Sequence, residues 1–282
     1  MDIVLTIAGS DPSGGAGIQQ DLRTIESLGC YGASVITALT TQNTLGVQSV
    51  MPVPADVVRS QLEAVLSDLD VKAIKIGQIP SAEVAHTIAE TLRQQLSIIN
   101  YQLSIVLDPV MISTSGRRLM SEDAIDVVVS ELFPLCTLVT PNIPEFETLL
   151  ALPGYDAHRY NLLIKGGHAE GSEMADRLCL TNGTERVYIT EKIESSNLHG
   201  TGCALSSAIA TSLALGFSLE EAVARGKDYV TKAIRGGRDL GVGHGNGPVW
   251  PLTRHYVTPS PQGARGEVCN TPSKGKLYSE QM

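Results

Sequence analysis

Short apolar, β-branched runs alternate with longer helical patterns along most of this chain, and that rhythm leaves few folds open. Residues 3–8, 33–38, 73–76, 104–107, 137–139 and 162–164 read as strands. Residues 17–28, 55–69, 82–96, 121–132, 145–150, 203–215 and 218–234 read as helices. In 82–96 the period is plain, with Val84, Ala85, Ile88, Ala89 and Leu92 on one helical face. Residues 178–180 and 186–190 read as a β-pair turned by Asn182-Gly183. Repeated strand–helix alternation implies an α/β fold, a mostly parallel sheet covered by helices on both faces.

The 282 residues, 43% of them hydrophobic, support a substantial core in one large or two smaller domains. Residues 257–282 differ: they are rich in Pro, Gly, Ser and charge and carry no periodicity, so a flexible tail is expected there. A net charge of −9 supplies no basic stripe for nucleic acid or an anionic membrane. No segment approaches the roughly 20 apolar residues that cross a bilayer. The N-terminus lacks the basic n-region of a signal peptide. Five cysteines, with no CxxC, indicate neither a disulfide framework nor a zinc site and fit the cytoplasm.

Parallel sheets bind ligands outside the carboxyl ends of their strands. The glycine and polar clusters of this chain fall there, at 9–17, 75–78, 108–115, 142–145 and 165–168. The most telling cluster is Asn197-Leu198-His199-Gly200-Thr201-Gly202-Cys203, which opens a helix. Gly200, Thr201 and Gly202 can turn N–H groups toward one point, and the helix end adds a positive dipole. That makes a cradle for an anion, with Cys203 at its rim; a plain loop-to-helix joint has the same residues. Gly9-Ser10-Asp11-Pro12-Ser13-Gly14-Gly15-Ala16-Gly17 reads as a close-approach loop, with Asp21 as a hydrogen-bond acceptor, or as a tight turn capped by Asp11. Asp108 could hold Mg²⁺ through water, or cap a turn. Asn142 and Glu145 suit a Mg–nucleotide site or a capping box. Lys165 ends a buried strand, is costly there without a partner, and a phosphate would serve as one. His168 reads as structural.

Together these pieces resemble the ribokinase superfamily, and within it the hydroxymethylpyrimidine and phosphomethylpyrimidine kinases of thiamine biosynthesis. The matching segments include Thr6-Ile7-Ala8-Gly9-Ser10-Asp11-Pro12-Ser13-Gly14-Gly15-Ala16-Gly17, Gln42-Asn43-Thr44, Lys75-Ile76-Gly77 and Asp108-Pro109-Val110-Met111. Thr140-Pro141-Asn142-Ile143-Pro144-Glu145, Lys165-Gly166-Gly167-His168, His199-Gly200-Thr201-Gly202-Cys203 and Gly243-His244-Gly245-Asn246-Gly247 continue the series. The resemblance spans residues 1 to 256, expected as a single domain. It implies a three-layer α/β/α sandwich and phosphorylation of a primary hydroxyl, first on an alcohol and then on its monophosphate, with ATP and Mg²⁺. It implies a homodimer. Carried onto this chain, Gln42 would meet the pyrimidine edge, with Gly9, Asp21 and Met111 around it. Gly200, Thr201, Gly202 and Cys203 would hold the γ-phosphate, and Cys203 would be the base, its thiol pKa lowered by the helix end. Lys165 would contact phosphates, and Asn142 and Glu145 would organise Mg²⁺.

Four departures stand out. Gln78 occupies a position where the family usually has Met, at the ring. Ser113-Thr114-Ser115-Gly116 lacks the family's lysine. Met111-Ile112-Ser113 lacks the second cysteine of related pyridoxal kinases, which favours the pyrimidine over pyridoxal, pyridoxine or pyridoxamine. Residues 152–161 are too few for the second of two helices the family holds between Glu145 and Lys165. Residues missing from the chain are expected there, because loss of a covering helix would expose apolar sheet. A catalytically inert pyrimidine or nucleotide sensor is the remaining alternative, and the intact phosphate constellation argues against it.

Overall fold

The computed structural model describes residues 1–98, 103–113, 116–166 and 173–251. The expected tail at 257–282, His168, Gly167 and residues 114–115 lie outside the described residues. The chain begins with β1 (Ile3–Ser10), α1 (Gly17–Ser27), β2 (Tyr31–Asn43), β3 (Gly46–Pro52), α2 (Ala55–Asp68), β4 (Val71–Ile76) and α3 (Ala82–Leu96). It continues with β5 (Ser104–Leu107), α4 (Glu122–Val127), β6 (Leu138–Val139), α5 (Ile143–Leu150) and β7 (Leu162–Ile164). The hairpin β8 (Glu173–Cys179) and β9 (Glu185–Glu191), then α6 (Thr201–Ala214) and α7 (Leu219–Gly237), complete it.

The strands form one sheet in the order β3-β2-β1-β4-β5-β6-β7-β8-β9. The six strands from β2 to β7 pair in parallel, while β3, β8 and β9 are antiparallel. The chain turns outward from β1 to β2 and then crosses back to β4, so the crevice between β1 and β4 is the topological switch point.

Alternation along the strands feeds two cores. Ile74, Ile76, Ile105 and Leu107 face α2, α3 and α4 with Leu62, Ile88 and Ile125. Ala73, Val106, Leu138 and Leu163 face α6 and α7 with Leu205, Ile209 and Val223. The sandwich therefore has the three expected layers. Lys75 shares the parity of Ala73, and so points at the α1–α6 side rather than toward water.

Two local readings are corrected. β2 runs to Asn43 rather than ending at 38, and β3 pairs with it in a segment to which the sequence reading assigns no element. Its polar and exposed residues give no clean alternation; only pairing at the sheet edge reveals it. The 121–132 helix is α only to Val127 and continues as a π-turn over Val128–Leu132. Across residues 152–161 successive turns are closed by Tyr155 N–H on Leu152 O and Tyr160 N–H on Ala157 O. Leu152, Tyr155, Ala157 and Tyr160 pack on the core, and the Tyr160 ring meets Phe133 edge-on at 5.3 Å.

Candidate active site

The carboxyl ends of the strands open into one cavity of about 380 Å³. Loops from β1, β4, β5, β6 and β7 and the start of α6 all reach it, as the glycine clusters require.

At its centre, α6 begins at Gly200, whose φ of 84° no β-carbon-bearing residue adopts cheaply. A Cβ there would also collide with the Gly15 carbonyl, so the loop before α6 lies directly on the loop after β1. No side chain caps α6. The Gly202 and Cys203 N–H groups in its first turn therefore keep their donors for a ligand. A Cβ on Gly202 would stand 3.1 Å from Asp108 Oδ2 and 3.6 Å from Lys165 Nζ, so glycine lets both charges approach the helix end.

Lys165 Nζ donates to Asp108 Oδ1 at 2.7 Å. Burial works against the Lys165 charge, but Asp108 and Glu145 outweigh it and raise its pKa, so the ammonium stays protonated. Asn142 and Glu145 form a reciprocal capping box on α5. The Asn142 oxygen is thus engaged by the Glu145 N–H at 2.9 Å, and its part in any metal site is to hold Glu145. Glu145 accepts from the Asn142 and Met111 N–H groups and still faces the cavity. Burial pushes its pKa up to about 7, with Lys165 pulling down and Asp108 pushing up.

Cys203 lines the cavity as expected, but its thiol is not the acidic one the helix end implies. Burial pushes its pKa up to about 11; Lys75 draws it down, while the Asp21 and Asp108 carboxylates push it up. The dipole loses to desolvation and like charge.

Two expected ring contacts fall elsewhere. Asp21 is wholly buried outside the cavity and accepts from Thr6 Oγ1 at 2.7 Å, Lys75 Nζ at 2.7 Å and Ser207 Oγ at 2.8 Å. Three donors on one carboxylate leave it a structural anchor. Met111 packs its side chain in the α2–α4 core and gives the site only its backbone N–H. Gly9, Gln42 and Gln78 do line the cavity. A Cβ on Gly9 would meet the Gln78 Oε1, so the Gln78 amide would have to shift to admit one. Gln78 is buried, and its Nε2 has no hydrogen-bond partner.

Sequence reasoning missed several residues. Lys75 is 0% exposed yet charged beside Cys203, and the argument applied to Lys165, that a buried lysine needs a partner, would have found it. Asp11 and His199 pair at 2.8 Å and tie the β1–α1 loop to the α6 loop. Lys227 and Asp176 pair at 2.7 Å at the far end of the cavity; no sequence signal links residues so distant in the chain.

A family model described as phosphomethylpyrimidine kinase matches residues 11–250. A hydroxymethylpyrimidine/phosphomethylpyrimidine kinase of Rhizobium meliloti is 45% identical over 268 residues, covering 90% of this chain and 98% of its own. A phosphomethylpyrimidine kinase structure from Clostridium difficile 630 superposes with a TM-score of 0.68 at 40% identity, covering 83% of this chain and 100% of its own. The Staphylococcus aureus pyridoxal kinase, solved with AMP-PCP and pyridoxal, superposes with a TM-score of 0.76 at 32% identity, covering 88% and 93%.

Proposed function

Since the chain belongs to the phosphomethylpyrimidine kinase family, we propose that it moves the γ-phosphoryl group of ATP to 4-amino-5-hydroxymethyl-2-methylpyrimidine and then to the resulting monophosphate, for thiamine biosynthesis. It is a phosphotransferase. The observation that carries the reading is the uncapped α6 start facing the Asp108–Lys165 pair across Gly202. Phosphoryl transfer is mostly positioning and charge stabilisation, and N–H donors with one retained lysine supply both.

In this reading Gly200, Thr201, Gly202 and Cys203 cradle the γ-phosphate, and Lys165 moves from Asp108 toward phosphate oxygens. Among the described residues no three His, Cys, Asp or Glu side chains cluster as a metal cage. Glu145 and Asp108, two carboxylates around one lysine on one wall, instead suit Mg²⁺, which keeps its waters and takes one or two protein carboxylates. Bound there, the ion would neutralise phosphate charge. Cys203 takes the hydroxyl proton as thiolate, a form that its raised pKa makes scarce near neutrality. Gln42, Gly9 and Gln78 enclose the ring. The chain would act as a cytoplasmic homodimer; Leu39, Leu45 and Met51, exposed on the β2–β3 edge, offer an apolar face for a second copy.

The test is turnover with ATP and the hydroxymethylpyrimidine, its monophosphate, pyridoxal, pyridoxine and pyridoxamine. Turnover of both pyrimidines ahead of the vitamin B6 compounds is expected. Preference for pyridoxal would overturn the substrate, and tight binding without turnover would overturn the activity.

A further inference from the structure

The glycine series Gly243-His244-Gly245-Asn246-Gly247 follows α7 and stays out of the cavity lining. Its partners explain its place. His244 and Gly245 each donate a backbone N–H to Thr44 Oγ1 at 3.2 Å, at the turn between β2 and β3. A hydroxyl oxygen has two lone pairs, so one side chain takes both donors. A Cβ on Gly245 would collide with the Thr44 carbonyl, so glycine lets the loop lie against the turn.

The other end of the series grips the approach to α6. Asn246 Oδ1 accepts the Leu198 N–H at 2.8 Å. The His199 N–H donates to the Gly247 carbonyl at 3.0 Å, and the His199 carbonyl accepts from the Val249 N–H at 3.2 Å. Asn197 is 5% exposed, and its Oδ1 accepts the Gly247 N–H at 3.2 Å. Its Nδ2 donates to the Gly237 and Leu240 carbonyls, at 2.7 and 2.9 Å, where α7 ends. Each of the three residues before Gly200 is thus bonded to residues 246–249. Since no side chain caps α6, the chain's entry into the cradle is set by this strap together with the Asp11–His199 pair.

We propose that Thr44 is a positioning residue: its hydroxyl latches the outer end of a strap, residues 243–249, that holds the γ-phosphate cradle in place. Thr44 does not line the cavity and acts only through the backbone of the strap. Donors aimed at a transferring phosphoryl group stabilise it only when they are already in place. Loosening the latch therefore slows transfer more than it weakens the binding of either substrate. The inference rests on the kinase reading of the cradle.

The test pairs hydrogen exchange on the full chain, read by mass spectrometry, with steady-state kinetics. Thr44→Val keeps the side-chain shape and removes the acceptor. Peptides over 197–203 and 243–249 should exchange roughly 5-fold faster in that variant, with those over α3 and β5 unaltered. Its kcat with ATP and the hydroxymethylpyrimidine should fall ~10-fold, with both KM values within about 2-fold. Thr44→Ser keeps the hydroxyl and should return both readouts to within about 2-fold of the unaltered protein. Asn246→Ala releases Leu198 at the other end and should also lower kcat. Thr44→Val with Asn246→Ala should lose little more than the worse single variant, because both act through one strap. Faster exchange confined to 243–249, a loss that Thr44→Ser does not recover, or additive losses in the double variant would overturn the proposal while the kinase reading stands. A change confined to the pyrimidine KM would overturn it as well, since the ring end and not the cradle would have moved. No phosphoryl transfer by the unaltered protein would overturn that reading and the inference with it.

Discussion

Lys75 Nζ lies 2.7 Å from Asp21 Oδ2, and neither side chain is exposed at all. Burial works against the Lys75 charge, yet Asp21, Cys203 and Asp108 raise its pKa far above the ordinary lysine value. The pair sets a fixed positive charge beside Cys203 and fastens α1 to β4. Breaking it from one side strands a buried charge, which typically costs about 3–5 kcal/mol. Asp21→Leu should lower the unfolding free energy by that order in urea titrations, and Asp21→Leu with Lys75→Met should recover most of the loss. A double variant as unstable as Asp21→Leu would refute a charge-pair origin.

The thiol of Cys203 carries its own pH signature. Because its pKa is raised to about 11, the thiolate is scarce at neutral pH and grows as pH rises. Iodoacetamide labelling in excess of that of Cys203→Ala protein should climb roughly 10-fold per pH unit through the alkaline range. If the thiolate is the base, kcat/KM climbs with it, and Cys203→Ala loses ~10²-fold or more in kcat. A pH-independent kcat/KM between neutral and alkaline pH, with near-normal turnover in Cys203→Ala, would remove the residue from the reaction.

Gln78 holds a buried N–H with no partner. An unsatisfied buried donor costs about 1–3 kcal/mol, so Gln78→Met should stabilise the free protein by ~1 kcal/mol in denaturant unfolding. Gly9→Ala should act in the opposite direction on function, because its methyl collides with the Gln78 amide. A rise of roughly 10-fold in the pyrimidine KM is expected. Unaltered stability in the first variant and unaltered KM in the second would show that the amide rearranges freely.

The β2–β3 edge exposes 43% of Leu39, 69% of Leu45 and 59% of Met51. Exposed apolar side chains on a sheet edge invite a partner chain. Light scattering at micromolar concentration should give twice the chain mass, and Leu45→Asp with Met51→Asp should halve it. A monomer in the unaltered protein would refute the homodimer.

The order of strands and helices was legible in the chain because it depends on local period: 82–96 and 104–107 match their elements residue for residue. So were the residues proposed for the phosphate end of the site. Glycine at 200 and 202, lysine at 165 and carboxylates at 108 and 145 follow from what a strand end must present to an anion, whichever way the sheet packs. The ring end was read in part. Gly9, Gln42 and Gln78 face the cavity, but Asp21 and Met111 do not, because the phase of α1 and the path of the loop after β5 aim them into the interior. Likewise β3 exists only through its pairing with β2.

By itself the sequence determined the layered fold and the strand-end residues proposed to meet phosphate, since both arise from short-range pattern and backbone geometry. Tertiary structure alone decided which charges pair: Lys75 with Asp21, Lys165 with Asp108, His199 with Asp11 and Lys227 with Asp176. Those pairings join residues 51 to 188 positions apart in the chain and are set by burial, which no local pattern encodes. They also fix the protonation of Cys203 and Glu145, because a pKa depends on solvent and neighbouring charge rather than on chain position.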